Sequence, residues 1–217
     1  MYQELSSILS TDKKLKVLDI GSGDGAFVNF LQSKFPQHIY YGCDVSKKAI
    51  KKNKKEKLSI HWRKVDFNNP VPFDKNFFDV IIAGEIIEHL YNTDNFFREV
   101  RLILKKNGIL LLTTPNLASW MSRLFLLFGF QPFPTEVSDE SHIFGKEFIY
   151  HLMGGKISQS VGHLRCFTKK ALRSVLKYYH FKILKEVSCH VQPWYFNKLI
   201  TKFLPSLSET QMIIVTK

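Results

Sequence analysis

Three acidic side chains and one glycine-rich turn have the types and spacing that first suggest chemistry. The turn is Gly21-Ser22-Gly23-Asp24-Gly25, entered from the aliphatic run Lys16-Val17-Leu18-Asp19-Ile20. Glycines two apart let the backbone turn sharply and let a ligand approach with no Cβ in the way. The phosphate-cradling pattern GxxxxGK(S/T) is absent. The dinucleotide pattern GxGxxG is missed as well: the third glycine comes one residue early, and Asp24 would sit beside a pyrophosphate. A cofactor without phosphates suits the turn better. Asp44 follows nineteen residues after Gly25, at the distance where a carboxylate takes both hydroxyls of a ribose. Asp66-Phe67 then offers a carboxylate and a ring suited to the edge and face of an adenine.

A second group is suited to acid–base work. Glu85-Ile86-Ile87-Glu88-His89 spaces Glu85, Glu88 and His89 to meet on one side of a helical turn. Far along the chain, His163 stands in Gly162-His163-Leu164-Arg165-Cys166-Phe167-Thr168, just ahead of a capped helix. An imidazole with an ordinary pKa of about 6.5 can act as general base toward a hydroxyl. A structural histidine explains the same residue, and both readings stay open.

The elements that must position these groups follow from hydrophobic runs. Residues 15–20, 39–44, 58–65, 77–83 and 109–113 read as strands, the first, second and third ending in or meeting an acid. Helices are expected over 24–34, over the lysine-rich stretch capped by Ser46, and over 93–105. In the last of these, Phe96, Phe97, Val100, Leu102, Ile103 and Leu104 face the sheet and Asn107-Gly108 acts as the stop. This alternation predicts an α/β fold with a parallel, helix-covered sheet. The tail differs: a helix over 168–179, a strand over 181–187, and a final strand over 210–216 with no helix after it. Two segments exceed the pattern and are read as insertions in a single domain, 116–162 and 190–207. They carry aromatic stripes from Trp120 to Phe133 and from Trp194 to Phe203. Connections this long in a compact domain are usually lids or binding loops, and core packing is the competing account of the stripes.

Composition narrows the classes further. The net charge of +12 is compatible with nucleic acid, an anionic substrate or an anionic membrane surface. Much of it lies in Lys47, Lys48, Lys51, Lys52, Lys54, Lys55 and Lys57, and such a run commonly forms a solvated helix face. Cys43, Cys166 and Cys189 are widely separated, pointing to reduced thiols rather than a disulfide frame or zinc site. The first residues lack the pattern of a signal peptide. No stretch approaches the ~20 apolar residues of a membrane span. A cytoplasmic location is the expectation.

Taken together, the motifs resemble a class I S-adenosylmethionine-dependent methyltransferase, of the kind found among ubiquinone-pathway O-methyltransferases. The matching stretches are Val17 to Gly25, Cys43-Asp44-Val45-Ser46, Val65-Asp66-Phe67, Phe78-Asp79-Val80-Ile81 through Glu88-His89-Leu90, and Leu104 through Pro115-Asn116, with the final strand. The resemblance implies a Rossmann-like, doubly wound seven-stranded sheet of order 3-2-1-4-5-7-6, its last strand antiparallel, with helical lid insertions. It implies S-adenosyl-L-methionine as cofactor and S-adenosyl-L-homocysteine as product. Asp19, Gly21, Ser22, Gly23 and Gly25 would hold the methionine part, Asp44 the ribose, and Asp66 and Phe67 the adenine, with Val45 also at the cofactor and Glu85 facing the same crevice. Small-RNA 2′-O-methyltransferases are similar in having a Glu-x-x-Glu-His cluster and a later histidine that bind a divalent metal. By that likeness the ligands would be Glu85, Glu88, His89 and His163. The same cluster occurs in relatives where it only packs beside the cofactor.

The acceptor stays open among three classes. A small hydroxylated or lipid-like molecule suits the aromatic insertions, and RNA suits the charge and the metal-like cluster. A membrane-facing role suits the apolar stripes beside basic residues. A methyltransferase-like binding protein without activity is the alternative to an enzyme, and the intact glycine turn with Asp44 and Asp66 argues against it. Nothing in the sequence addresses the oligomeric state.

Overall fold

The computed structural model describes residues 1–56, 59–152, 160–189 and 203–217. Seven strands are present: β1 (Lys16–Ile20), β2 (Ile39–Asp44), β3 (His61–Lys64), β4 (Phe78–Gly84), β5 (Leu104–Pro115), β6 (Lys182–Cys189) and β7 (Thr210–Thr216). They form one sheet in the order β3-β2-β1-β4-β5-β7-β6. The first five pair in parallel, and β7 runs antiparallel between β5 and β6. The described helices are α1 (Tyr2–Leu9), α2 (Ala26–Lys34), α3 (Lys47–Glu56), α4 (Thr93–Ile103), α5 (Trp120–Leu127), α6 (Glu147–Leu152) and α7 (Lys169–Tyr178).

The central strands are mostly apolar because both faces are covered. Leu18, Ile20, Ile81, Leu110, Leu112 and Val215 pack with Phe96, Phe97, Val100, Leu172 and Leu176 from α4 and α7. The alternate residues Val17, Val80, Ile82, Leu111, Met212 and Ile214 pack on the other side with α1, α2 and Ile50 of α3. This is the signature of a helix-covered parallel sheet. Parallel strands joined by helices must all exit at the same edge, so the acids that end β1, β2 and β3 come together there.

Three local expectations change. The helix over 93–105 stops earlier than Asn107-Gly108, because the backbone is already extended at Leu104 (φ −73°, ψ 133°). Asn107 and Gly108 instead form a register irregularity in β5, between the pairs Phe78–Leu104 and Val80–Ile109, with Asn107 at φ 62°. Leu102 faces outward rather than onto the sheet. The lysines of α3 are solvent-exposed while Ile50 and Asn53 turn inward, which is the solvated-face reading. Lys57, the pair Gly154-Gly155 and the aromatic run Trp194, Tyr195, Phe196, Leu199 and Ile200 lie outside the described residues. Among the described residues, no helix is long and apolar enough to cross a membrane, and the three cysteines are free.

Candidate functional site at the strand ends

The glycine turn follows β1 directly. Gly21, Gly23 and Gly25 all have positive φ, at 72°, 50° and 72°, which a side chain would strain. A Cβ on Gly25 would lie 2.4 Å from Trp62, whereas one on Gly23 would meet nothing within 4 Å. The turn is thus packed beneath and open above. The amides of Gly21 and Ser22 both donate to the Cys43 carbonyl at 2.9 Å, and Ser22 Oγ adds a bond to the same oxygen. Asp44, at the end of β2, accepts from the Gly23 amide at 2.9 Å and from the Ser46 amide at 2.8 Å. Asn53 of α3 donates to the Gly23 carbonyl at 2.9 Å. Val45 is exposed beside Asp44.

Asp19 is buried at the floor of the turn. Burial, reinforced by the charge of Asp44, pushes its pKa up to about 7. A buried carboxylate beside a second one favours a nearby cation. S-adenosylmethionine carries an ammonium and a sulfonium and no phosphate, so this donor set fits it. The open space over Gly23 fits a ligand passing close to the backbone.

Asp66 follows β3 and is held in a turn of its own. Its carboxylate accepts from the amide and side chain of Asn68, each at 2.9 Å, and from the side chain of Asn69 at 2.9 Å. Asn95 ties the same turn to α4 through the carbonyls of Phe67 and Asn69. The Phe67 ring is a correction to the sequence reading. It is 3 % exposed and packs in the core against Phe96, because a large aromatic after a strand lowers its energy more by burial than by lining a crevice. Only its backbone is left to face an adenine.

The second cluster lies past β4. Ile87–His89 forms a single 3₁₀ turn, and Glu85 precedes it at φ 52° with its amide on the Thr113 carbonyl. Glu88 is 2 % exposed; Oε2 accepts from Thr114 Oγ1 at 2.9 Å, while Oε1 has no hydrogen-bond partner. Burial raises its pKa to about 7, with the charge of Glu85 acting the same way. His89 Nδ1 lies 3.0 Å from the Gly162 carbonyl, and His163 Nδ1 lies 3.0 Å from the Pro134 carbonyl. A carbonyl only accepts, so both Nδ1 atoms carry a proton, and a neutral ring so held presents its lone pair at Nε2. The two rings are 5.0 Å apart. Burial lowers the His163 pKa, opposed by the bond to Pro134, which keeps the ring neutral at pH 7.

Glu88, His89 and His163 offer ligand atoms that all lie within 4.8 Å of one another. One carboxylate and two imidazoles, each imidazole oriented by a backbone carbonyl, match what a divalent first-row cation selects. Glu85 stands outside this group of three, which narrows the four-residue set suggested by the sequence. Asn53, Thr114, Pro134 and Glu136 were not marked by sequence pattern. Asn53 had one signal: it is the polar residue one turn after Ile50 that breaks the lysine run.

Comparison with known proteins agrees with the fold. The family described as a methyltransferase domain matches residues 11–180. A ubiquinone biosynthesis O-methyltransferase from Pelagibacter ubique is 39 % identical over 116 residues, covering 50 % of this chain and 47 % of that protein. A second of that name, from Bradyrhizobium diazoefficiens, is 31 % identical over 119 residues, covering 53 % and 45 %. The chain spans about half the length of these curated relatives. An S-adenosylmethionine-dependent methyltransferase from Mesorhizobium loti superposes with a TM-score of 0.64 at 13 % identity, covering 100 % of this chain and 97 % of that one. A likeness at that identity speaks for the fold. With the sheet order, the phosphate-free turn and a match over most of its length, the chain belongs to the class I methyltransferase-domain family, whose cofactor is S-adenosylmethionine.

Proposed function

We propose that the chain methylates a hydroxyl oxygen of a small, lipid-like acceptor, with the deprotonation assisted at Glu88, His89 and His163. The observation that carries this reading is the buried Glu88 carboxylate, one oxygen of which has no hydrogen-bond partner, grouped with His89 and His163 so that one ligand atom of each lies within 4.8 Å of the others. An apolar pocket would not keep three such acceptors together without a proton or cation to share. The names of the relatives, two of them O-methyltransferases of ubiquinone biosynthesis, support a hydroxylated acceptor with an apolar part.

In this reading Asp19 and Asp44 orient the cofactor, which supplies a methyl group on its sulfonium. The glycine turn lets it lie against the backbone, and the transfer depends mainly on alignment. A divalent ion held by Glu88, His89 and His163 would lower the pKa of the acceptor hydroxyl. Without one, His163 Nε2 is the base available to receive the proton. Four apolar residues of α5 and its end, Leu124, Leu126, Leu127 and Phe128, are exposed among the described residues, and they support an acceptor presented at a membrane or carrying a tail. An RNA 2′-hydroxyl is the second reading, favoured by the donor set.

A radiolabelled transfer assay separates these classes. Expected is label in a hydroxylated aromatic with an isoprenoid tail, dependent on Mn²⁺ or Mg²⁺ and lost in Glu88→Ala. Label in RNA oligonucleotides but not in their 2′-deoxy versions would replace the acceptor class. Label in neither, with S-adenosylhomocysteine still bound, would leave a binding protein.

A further inference from the structure

The segment 130–146 belongs to no sheet element, yet it meets His163 through Pro134 and gathers, through Glu136, the peptide that meets His89. Lys146 is fully buried. Its Nζ donates to the carbonyls of Phe133 and Thr135 at 3.0 and 3.1 Å, and more distantly to Pro132 at 3.4 Å. Gln131 closes the loop, its amide on the Gly145 carbonyl and its side chain on Thr135 Oγ1. With those three carbonyls turned onto the ammonium, the Pro134 carbonyl points the other way. It meets His163 Nδ1 at 3.0 Å and Cys166 Sγ at 3.0 Å.

Two residues later, Glu136 accepts four hydrogen bonds from one stretch of chain. They come from Ser160 Oγ (2.7 Å) and from the amides of Val161 (2.9 Å), Gly162 (2.8 Å) and His163 (3.1 Å). Burial alone would raise the Glu136 pKa, but these donors outweigh it and hold the carboxyl at about 2. The peptide they gather is the one whose Gly162 carbonyl receives His89 Nδ1. The next two amides, of Leu164 and Arg165, donate to the Glu88 carbonyl at 2.7 and 2.9 Å. Gly162 itself sits at φ 81°, a left-handed bend that glycine allows without a Cβ clash.

We propose that Glu136 is a positioning residue for the Glu88, His89 and His163 site. By folding residues 160–163 around its carboxylate, it fixes the Gly162 carbonyl against His89 and the His163 imidazole against Pro134. Both rings are thereby locked as Nδ1–H tautomers, which leaves Nε2 as the nitrogen of each ring able to offer a lone pair. Lys146 fixes the loop that carries Glu136 and Pro134. The inference rests on the reading of the three-residue cluster as a cation-assisted site, but its first readout needs no cation.

The experiment compares wild type, Glu136→Gln and Glu136→Asp at pH 8 by long-range ¹⁵N NMR of the imidazoles, assigned with His89→Asn and His163→Asn. Expected are two fixed Nδ1–H tautomers in the wild type, tautomer averaging in Glu136→Gln, and partial recovery in Glu136→Asp. Mn²⁺ titration should show affinity weakened roughly 10–100-fold in Glu136→Gln, while the S-adenosylhomocysteine-induced rise in Tm is unchanged. Ser160→Ala, which removes one of the four donors, should weaken Mn²⁺ severalfold even if Glu136→Gln fails to fold. Unaltered tautomers and Mn²⁺ affinity within twofold of wild type, in whichever of these variants folds, would overturn the proposal. Tautomer loss in Glu136→Gln with no Mn²⁺ binding even in wild type would sustain it and sink the cation-assisted reading instead.

Discussion

Asp19, Gly21 and Asp44 are held by strand register, whereas Glu88, His89 and His163 are held by side chains reaching across loops. In the first region each group stands within two residues of a strand end. Neighbouring strands pair in fixed register, with Asp19 opposite Gly42 and Ile20 opposite Cys43. In the second, His163 reaches its place through bonds spanning 27 to 29 residues, to Glu136 and Pro134. A register-held site loses one contact when one side chain is removed. A tether-held site should lose several groups at once, because one carboxylate orders a whole peptide.

The hardest way to break the first region is through its backbone packing. A Cβ on Gly42 of β2 would lie 2.2 Å from Trp62 Cζ3, and the same indole closes the underside of Gly25. Overpacking of this kind costs about 3 kcal/mol, so Gly42→Ala should lower Tm by about 6–12 °C. Thermal unfolding checks it, and a shift under 2 °C would mean that Trp62 yields and register is not what holds the turn.

Next in size is Asp44→Ala. On the proposal that Asp44 takes the ribose hydroxyls, the change removes a charged acceptor and should weaken S-adenosylhomocysteine roughly 10–100-fold by calorimetry, while the Nδ1–H tautomers of His89 and His163 stay as they were. Movement of both regions together would show that they are one mechanical unit and erase the distinction.

This difference in construction also explains what could be read from sequence. An apolar run followed by an acid encodes a strand end, and parallel strands bring such ends to one edge. The sheet, the glycine turn and Asp44 were therefore legible. The Phe67 ring was misjudged because a ring beside a crevice and a ring in the core have the same sequence signature. Glu85 was grouped with Glu88 and His89 on helical spacing, but Glu85 has φ 52° and only a 3₁₀ turn follows, at Ile87–His89, which separates it from them. Pro134 lies within the insertion 116–162, and nothing local tells that its carbonyl meets His163. Such contacts depend on how two loops dock, which no periodicity records.

Asp19 gives a pH test of the first region. Its carboxyl has a pKa of about 7 in the folded chain against an ordinary 3.8, so the folded state holds this proton more tightly than the unfolded one. The stability it contributes is fully present below about 3.8 and is lost as pH rises through 7. Asp19→Asn should therefore raise the cofactor-free stability at pH 8 and flatten the slope between pH 4 and 7, while weakening S-adenosylhomocysteine. Denaturant unfolding across that range checks it. An unchanged slope would place the buried proton elsewhere.

The smallest expected effect on stability belongs to α5, where neither strand register nor a tether to the site explains the surface. Phe125 packs inward against Phe133 at a centroid distance of 4.8 Å, while Leu127 and Phe128 are 76 % and 66 % exposed. Residues that bury little lose little when changed, so Leu127→Asp with Phe128→Ser should alter stability by no more than about 0.5 kcal/mol. S-adenosylhomocysteine affinity should not change. If α5 meets a tail or a bilayer, the pair should slow methylation of a long-tailed acceptor in anionic vesicles severalfold and leave a short-tailed one untouched, since the lost apolar contact lies outside the reacting groups. Equal slowing of both would instead make α5 part of the positioning of the site, joined to the loop of Lys146 and Glu136 through Phe125 and Phe133. Slowing of neither would remove the support that these exposed residues lend to a lipid-like acceptor.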